Sequence, residues 1–317
     1  MLVDIINRMH YAPCYWHSHP EKMNNTAMIN MVRKCNRLFE NILLKPAAEL
    51  KQSFTENAAV AIYASNVVED TGMSLKDTHT IVEYVFSTPK SDTCQMKSFS
   101  NQDGQDFKSV HQHAKAFHYL CVDHIHAPLS LNLIKETHRL LCTGLVREDG
   151  VAVQAGEFRK YDIVVGRLGI PSLAPELIES YTNNMIEYFN LEFGRIQENP
   201  KSARMDPIAL STWLKYIMVT IHPFNDGNGR TSRLFLNWAL LKLGLFFPID
   251  LRIVQSKRAK RNYFSILNAS PPLTPELEKC IPRLLNAFVL ESICMTWIAL
   301  MPNFSIDGDD PNRVNSC

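Results

Sequence analysis

Two apolar helical segments on either side of a short loop constrain the fold more than any other feature of this sequence. Residues 207–221 place apolar side chains at the spacing of one buried helix face. Pro223 disfavours helical backbone in the residue before it, so this helix must end near His222. A second apolar stripe begins near Arg230. The loop TIHPFNDGNGRTSR, residues 220–233, therefore joins two core helices although it is rich in glycine and charge.

The glycines and arginines of this loop are arranged to bind phosphate. The first backbone N–H groups of a helix have no intrahelical acceptor and lie at the positive end of the helix dipole. Glycine lets an anion approach them without a Cβ in the way. Gly227, Asn228 and Gly229 would form such a cradle. Arg230 and Arg233, three residues apart on a helix, would reach further phosphates, so the pattern predicts a polyphosphate site.

Two further residues of the loop carry reactive groups. A carboxylate beside phosphate oxygens usually shares a Mg²⁺ with them, so Asp226 is the predicted metal ligand. The ordinary pKa of histidine lies near neutrality, and His222 could therefore take a proton from an attacking hydroxyl. Each residue alone has a simpler interpretation as a helix cap or a turn residue. Together, in a glycine loop that opens a helix, they favour a nucleotide site.

The segment HPFNDGNGRTSR resembles the signature H-x-F-x-[DE]-G-N-G-R-x-x-R of Fic-domain proteins, and every specified position matches. The resemblance extends over roughly residues 60–290. It includes GEFRKYDIVVG as the flap hairpin, LSLNLIKETHRLL as the helix before it and RNYFSILNAS as a helix after the core. It implies transfer of AMP from ATP to a Ser, Thr or Tyr hydroxyl of a target protein, the chain itself included.

The resemblance also implies a role for each loop residue. His222 is the base that activates the hydroxyl, and Asp226 holds Mg²⁺ between the α- and β-phosphates. The residues Gly227 to Gly229 form the anion hole, and Arg230 and Arg233 hold the outer phosphates. Two alternatives stay open: hydrolytic removal of AMP at the same site, and a catalytically silent nucleotide-binding scaffold.

A helix before the core carries a second motif. Residues 57–72, NAAVAIYASNVVEDTG, predict a discrete helix in which Ser65 and Glu69 resemble the family's inhibitory motif [ST]-x-x-x-E-[GN]. Its glutamate is expected to pair with Arg233, where a carboxylate would take the place of the γ-phosphate. Asp70 stands where Gly or Asn is usual, which leaves the geometry of the helix end open. The alternative for Glu69 is a solvated surface charge.

Two groups of residues are predicted to contact the substrates. By resemblance, the flap from about residue 160 to 166 receives an extended piece of the target through strand addition. Tyr263 is predicted either to border the adenine of ATP or to be an ordinary core tyrosine. The candidate flap residues are Lys160, Tyr161, Asp162, Ile163, Val164 and Val165.

Helical periodicity dominates the rest of the chain, so we expect a mainly α fold: a Fic-like helical core with a small β-hairpin and extra N-terminal helices. Ser74 with Asp77 predicts a capped helix start, as does Asp206 followed by Pro207. A separate short helix is expected from Pro46 to Phe54. The expected divisions are an N-terminal helical region at 1–95 with an inhibitory helix at about 57–71, a Fic domain at 96–290, and a C-terminal helix end and tail at 291–317.

Charge and composition narrow the classes of partner and compartment. A net charge of +1 gives no bulk attraction to nucleic acid or anionic lipid, so neither partner is expected. SKRAKR, residues 256–261, is either a nuclear or nucleic-acid patch or a solvated helix face. Eight cysteines without a C-x-x-C pair indicate reduced thiols. The first residues, MLVDIINRMHYAPCYW, do not resemble a secretory signal, so we expect an intracellular, cytoplasmic protein, with a nuclear or secreted effector left open.

Two remaining segments have competing interpretations. Residues 284–301 approach the length of a membrane span, but Asn286 and Glu291 interrupt them, which favours a core or subunit-interface helix and no membrane. We also expect a homodimer. The cluster of His10, Cys14, His17 and His19 lacks the second half of a zinc site, so a surface segment is favoured there.

Overall fold

The computed structural model describes residues 10–12, 24–42, 47–88, 104–147, 149–165 and 170–300, and this part of the chain is mainly α-helical, as the sequence predicts. Its regular elements are α1 (Asn25–Ile42), α2 (Ala47–Val68), α3 (Leu75–Ser87), α4 (Gln105–His118), α5 (Leu131–Cys142), β1 (Val164–Val165), β2 (Ile170–Pro171), α6 (Ile178–Glu198), α7 (Pro207–Ile221), α8 (Asn228–Lys242), α9 (Lys257–Asn268) and α10 (Arg283–Leu300).

The centre of the fold is the pair formed by α7 and α8. Thirteen of the residues of α7 are buried, and the helix packs against α6, α8 and α10. Its start is fixed as predicted, because the Asp206 carboxylate accepts the N–H groups of Ile208 and Ala209 at 2.9 and 3.0 Å, with Pro207 in the first turn. The loop between α7 and α8 is thus held in the core by both of its helices.

The helix α2 is longer than the sequence analysis expected. The predicted helix from Pro46 to Phe54 and the predicted inhibitory helix are one continuous element, because the residues from 47 to 68 include no glycine or proline to end a helix. Its alanine-rich face packs against α3, α4 and α8. The predicted cap of α3 is confirmed, since Ser74 Oγ accepts the Asp77 N–H at 3.1 Å.

The predicted hairpin is present but short. Strands β1 and β2 pair antiparallel, with Val164 opposite Pro171 and Val165 opposite Ile170. Residues 166–169, which include the end of the predicted flap, lie outside the described residues. The other candidate flap residues, 160–163, precede β1.

The apolar helix α10 is a core element in this structure. By length and composition it could cross a bilayer, but 72% of its apolar window is buried inside the fold. Asn286 is fully buried and donates to the His10 carbonyl oxygen at 2.5 Å. The cysteine side chains that the structure describes are buried, at positions 121, 142, 280 and 294. Cys14, His17 and His19 lie outside the described residues.

Candidate active site

The loop after α7 is closed by the side chain of its own asparagine. His222 ends the helix in the left-handed region, with φ of 51°. Asn228 Oδ1 accepts the Phe224 N–H at 2.9 Å, and Asn228 Nδ2 donates to the Phe224 carbonyl oxygen at 2.8 Å. The amide side chain therefore ties the loop, while the backbone N–H of Asn228 stays in the first turn of α8. That helix begins two residues earlier than the predicted start at Arg230.

A second histidine, which the sequence analysis did not assign, packs against the loop and hydrogen-bonds its main chain. His138 on α5 stacks parallel on Phe224 with ring centres 3.6 Å apart. Its Nδ1 accepts the Gly156 N–H at 2.8 Å, so Nε2 carries the proton and donates to the Asp226 carbonyl oxygen at 3.0 Å. Burial lowers the pKa of His138 to about 4, which keeps the ring neutral. Nothing in its local sequence marks this role, because the contact spans 88 residues.

The first glycine of the loop is required by both backbone and space. Gly227 has φ of 74°, which a side chain rarely tolerates. A Cβ there would lie 2.6 Å from Cys142 Sγ and 3.1 Å from His138 Nε2. The close approach of α5 therefore sets the path of the backbone into α8.

The imidazole of His222 is in the form that a general base needs. Its Nδ1 lies 3.1 Å from the Val219 carbonyl oxygen, which can only accept, so Nδ1 carries the proton in the neutral ring and Nε2 keeps its lone pair. Burial lowers the pKa of His222; the Val219 hydrogen bond opposes that shift, and the positive charge of Arg159 adds to it. At neutral pH the ring is therefore able to accept a proton.

The amides of Asn228, Gly229 and Arg230 belong to the first turn of α8, where no intrahelical acceptor exists. Asp226 stands beside them with 41% of its side chain exposed. Its Oδ1 accepts the Gly227 N–H at 2.6 Å and lies 3.9 Å from Arg230 Nη2. No group of three metal-ligating His, Cys, Asp or Glu side chains occurs among the described residues. A single accessible carboxylate fits a Mg²⁺ that arrives with a nucleotide and keeps several waters, not a metal in an all-protein cage.

Both arginines of the loop are buried and engaged. Arg230 Nη1 donates to Ser109 Oγ on α4 at 3.2 Å. Arg233 donates to Ser65 Oγ at 2.8 Å through Nε, and through Nη2 to the Ser65 carbonyl oxygen at 2.9 Å and to Glu69 Oε1 at 2.6 Å. Burial favours loss of the Arg233 proton, but Glu69 and the Tyr263 hydroxyl outweigh it and raise its pKa. The residues predicted as an inhibitory motif therefore do meet Arg233.

The carboxylate of Glu69 also lies directly over the second glycine of the cradle. A Cβ added at Gly229 would overlap Glu69 Oε1 and would lie 3.2 Å from Arg233 Nη1. The carboxylate thus occupies the space in front of the first turn of α8, as well as one face of the guanidinium. An anion bound to both would have to displace it.

Asp70, which stands where the family motif has Gly or Asn, has a left-handed backbone. It lies in the left-handed region with φ of 54°, which Gly and Asn favour and Asp tolerates. Its Oδ1 accepts from Lys260 Nζ on α9 at 2.8 Å. The next two residues are held by Asp106 Oδ1, which accepts from Thr71 Oγ1 at 3.2 Å and from the Gly72 N–H at 2.9 Å. The helix end is therefore fixed to two other helices.

The remaining predicted contacts divide into core and surface. Tyr263 is 2% exposed, with the Lys215 amine 5.0 Å from its ring centre, which is the placement of a core tyrosine. Tyr161 is 42% exposed, and its hydroxyl accepts from Arg147 Nη1 at 3.1 Å. Lys160 and Asp162 are exposed and Ile163 is half-buried, whereas the side chains of Val164 and Val165 lie outside the described part of the chain.

The fold and the loop define a helical protein in which a histidine ends one core helix, and a glycine-rich turn and a buried arginine open the next. Residues 128–240 match the family model of the Fic/DOC family. The chain therefore contains a Fic domain, and the resemblance inferred from its loop is confirmed. The match falls inside the region predicted as residues 96–290, whose limits stay a prediction.

Individual relatives agree with this assignment. Protein adenylyltransferase Fic of Nematostella vectensis is 26% identical over 268 residues, which are 82% of this chain and 56% of that protein. Protein adenylyltransferase fic-1 of Caenorhabditis briggsae is 26% identical over 213 residues, or 66% of this chain and 37% of that protein. The chain thus spans from about a third to just over half of the length of these relatives.

Solved structures share the fold. The crystal structure of a Fic-domain signalling protein from Bacteroides thetaiotaomicron has a TM-score of 0.62 at 19% identity and covers 87% of this chain and 100% of that one. Fic-1 of Caenorhabditis elegans has a TM-score of 0.60 at 19% identity and covers 88% of this chain and 74% of that one.

Proposed function

We propose that this chain is a protein adenylyltransferase that moves AMP from ATP to a hydroxyl side chain of a protein, and that Glu69 restrains it. One observation carries the proposal. The unprotonated Nε2 of His222, the amides that open α8 and the guanidinium of Arg233 surround the same loop, and a carboxylate sits on that guanidinium. The naming of the relatives as adenylyltransferases supports the same activity.

In the proposed reaction, the hydroxyl oxygen of the target attacks the α-phosphorus of ATP. The bond from that phosphorus to the oxygen bridging the α- and β-phosphates breaks, and pyrophosphate leaves with the electron pair. The hydroxyl proton passes to Nε2 of His222. The amides of the cradle and the guanidinium groups of Arg230 and Arg233 stabilise the charge on the phosphate oxygens.

A Mg²⁺ ion held by Asp226 would neutralise phosphate charge and orient the departing pyrophosphate. Positioning and neutralisation are what a phosphoryl-type transfer needs from a protein. The flap would hold the segment of the target that carries the hydroxyl, by strand addition along β1. A second copy of the chain as partner, and a cytoplasmic location, stay predictions.

The proposed restraint follows from competition for one guanidinium. With Glu69 bound, Arg233 cannot give the same donors to the γ-phosphate of ATP. ATP would then bind weakly or in an unproductive position. Removal of the carboxylate should release both the guanidinium and the space above Gly229.

Hydrolytic removal of AMP from a modified protein is the second candidate function. It is favoured by the exposure of Glu69, because 36% of its side chain is open to solvent and water can reach the carboxylate. A carboxylate beside the cradle could position water for attack on the phosphorus of the AMP ester. In that case Glu69 would be required for removal of AMP rather than only opposed to its transfer.

The experiment compares four proteins incubated with α-labelled ATP, Mg²⁺ and a cell lysate: the unaltered chain, Glu69→Ala, Glu69→Ala with His222→Ala, and Glu56→Ala. Glu56 lies on the same helix and contacts Gln52, so it is a matched control for loss of a carboxylate. We expect Glu69→Ala to increase the label on protein, and the added His222→Ala to abolish it. Equal labelling with and without His222 would overturn the proposal.

The same proteins separate the second candidate. Protein labelled by Glu69→Ala is purified and mixed with the unaltered chain, with ATP removed. If the label is lost with the unaltered chain and is kept with Glu69→Ala alone, removal of AMP is assigned to Glu69. Stable label in both mixtures would leave Glu69 with the restraining role alone.

A further inference from the structure

The strongest unassigned feature is a buried arginine at the base of the flap. Arg159 is 2% exposed, and no carboxylate among the described residues lies within ion-pair distance of it. Its guanidinium donates instead to three main-chain carbonyl oxygens: to His222 through Nε at 2.9 Å, to Tyr161 through Nη1 at 2.8 Å, and to Leu173 through Nη2. Its own N–H donates to the Pro223 carbonyl oxygen at 2.9 Å.

Burying a charged guanidinium costs free energy of folding. An arginine at this position therefore indicates a role that an apolar side chain could not fill. Burial lowers the pKa of Arg159, and the charge of Asp162 opposes that shift without forming an ion pair. Carbonyl dipoles offset the cost of burying the guanidinium only in part. A planar fork can hold several acceptors in fixed directions, whereas a lysine amine or a leucine cannot. The identity of the three acceptors therefore indicates what the charge is for.

The three carbonyls come from the parts of the molecule that must cooperate in the proposed transfer. Tyr161 lies three residues before β1, and Leu173 lies two residues after β2, so the two sides of the flap are joined at its base. The third carbonyl is that of His222 itself, whose backbone is in the left-handed region. The fork thus connects both sides of the flap to the main chain of the proposed base.

We propose, on the basis of the function above, that Arg159 is a positioning residue for the transfer reaction: it fixes the flap relative to His222, so that a hydroxyl on a segment added along β1 faces Nε2. Within the described part of the chain, Arg159 makes no hydrogen bond to the cradle or to Arg233. It therefore acts on the presentation of the target and on His222, and not on the binding of ATP.

The charge of Arg159 acts on the same histidine. Three charged groups face His222: Arg159 from the segment before β1, Glu69 from the end of α2, and Asp226 from the loop. Burial is the largest cause that lowers the pKa of His222, and Arg159 lowers it further, whereas the two carboxylates raise it. Loss of the Arg159 charge should raise that pKa, which moves the acid limb of a pH–rate profile to higher pH.

The test uses Arg159→Gln and Arg159→Lys in the Glu69→Ala chain. Glutamine removes the charge and keeps some hydrogen bonding, whereas lysine keeps the charge and loses the fork. Arg258→Gln is the control, because it removes a positive charge from the exposed start of α9. The acceptor is the protein that the Glu69→Ala parent labels most strongly, either the chain itself or one purified from the lysate.

For both Arg159 variants we expect kcat/KM for the protein acceptor to fall by about 10–100-fold, as for a reactant misplaced by about 1 Å, with little change in KM for ATP. The acid limb should move to higher pH in Arg159→Gln and stay in place in Arg159→Lys. A role in folding alone would lower the melting temperature and the fraction of active enzyme, which reduces kcat but leaves both KM values and the pH profile unchanged. Unchanged kcat/KM, or an acid limb that moves equally in both variants, would overturn the inference.

Failure of the proposed function is recognised separately. If the Glu69→Ala parent labels nothing, the transfer reaction itself is wrong. The titration of His222, followed by NMR of its ring protons in the parent and in Arg159→Gln, then gives a reading that needs no activity. A His222 pKa that is unaltered or lower in Arg159→Gln would contradict the electrostatic part of the inference.

Discussion

A methyl group at Gly229 should break the contact between Glu69 and Arg233 although neither residue is substituted. The Cβ of Gly229→Ala would overlap Glu69 Oε1, and it would lie 3.4 Å from Glu69 Cδ. The helix itself accepts alanine, because Gly229 is in the first turn of α8 and has no positive φ. The flexible carboxylate is the group that must move, and it would leave its 2.6 Å hydrogen bond to Arg233.

Two opposing effects set the expected magnitude. A hydrogen bond between charged groups contributes about 1.5–3 kcal/mol, and the lower end applies here because solvent partly screens a carboxylate that is one-third exposed. Alanine in place of glycine in a helix contributes about 0.5–1 kcal/mol in the other direction. In the unaltered chain, Gly229→Ala should therefore lower the free energy of unfolding by about 0.5–1 kcal/mol.

The assay is a double-mutant cycle by urea denaturation of four proteins: the unaltered chain, Gly229→Ala, Glu69→Ala and the double variant. With Glu69 absent, the methyl group meets only the end of the flexible Arg233 side chain, at 3.2 Å, which needs to shift by a few tenths of an ångström. Gly229→Ala should then become stabilising by about 0.5–1 kcal/mol. The expected coupling energy is about 1.5 kcal/mol. A coupling energy below about 0.5 kcal/mol, the usual error of additivity, would refute the proposed geometry.

The same pair of variants tests the cradle. If phosphate oxygens approach the amides of α8, the methyl group should weaken ATP binding even in the Glu69→Ala background, where the carboxylate is gone. Isothermal titration with ATP and Mg²⁺ measures this. Equal ATP affinity in Glu69→Ala and in the double variant would place the nucleotide elsewhere.

Two further predictions concern buried and half-buried lysines. Lys215→Met should raise the free energy of unfolding by about 1–2 kcal/mol, since no described residue hydrogen-bonds the buried Lys215 Nζ. Burial lowers the folded pKa of Lys215, so the free energy of unfolding of the unaltered chain rises with pH between that folded pKa and 10.5. Urea denaturation across this pH range should show a flatter rise in the variant. Lys260→Ala removes a partly exposed ion pair to Asp70 worth about 0.2–1 kcal/mol, which helps to hold the neighbouring Glu69 on Arg233. The affinity for ATP, measured by titration, should therefore rise about fivefold at most.

The sequence predicted the helices of the core well because their signals are local. Asp206 caps α7, and Pro223, the residue after the C-cap His222, keeps the helix from continuing beyond Ile221, both through contacts within a few residues. The loop between the core helices was predicted for the same reason, since a glycine at a helix start and a nearby arginine act through adjacent turns. The pairing of Glu69 with Arg233 spans 164 residues and was reached only through resemblance to a family motif.

The supports of the site could not be predicted, because they depend on packing between distant segments. His138 stabilises the loop through a stacked ring and two backbone hydrogen bonds, and its position on α5 reads as an ordinary helix residue. Arg159 stands beside Lys160 in a polar stretch, where a solvated charge is the simplest interpretation. The continuous helix α2 was divided in the prediction because the apolar pattern weakens in its first half, although no residue there breaks a helix.

The contact between α2 and Arg233 is made within one chain, and this determines how such a restraint would behave in a cell. A tethered carboxylate meets its arginine at a constant effective concentration, whatever the amount of protein present. Dilution would leave the activity per molecule unchanged, whereas a restraint formed between two subunits would weaken as they dissociate. Only an event that moves the end of α2, or a ligand that outcompetes it locally, would then change the output of each molecule.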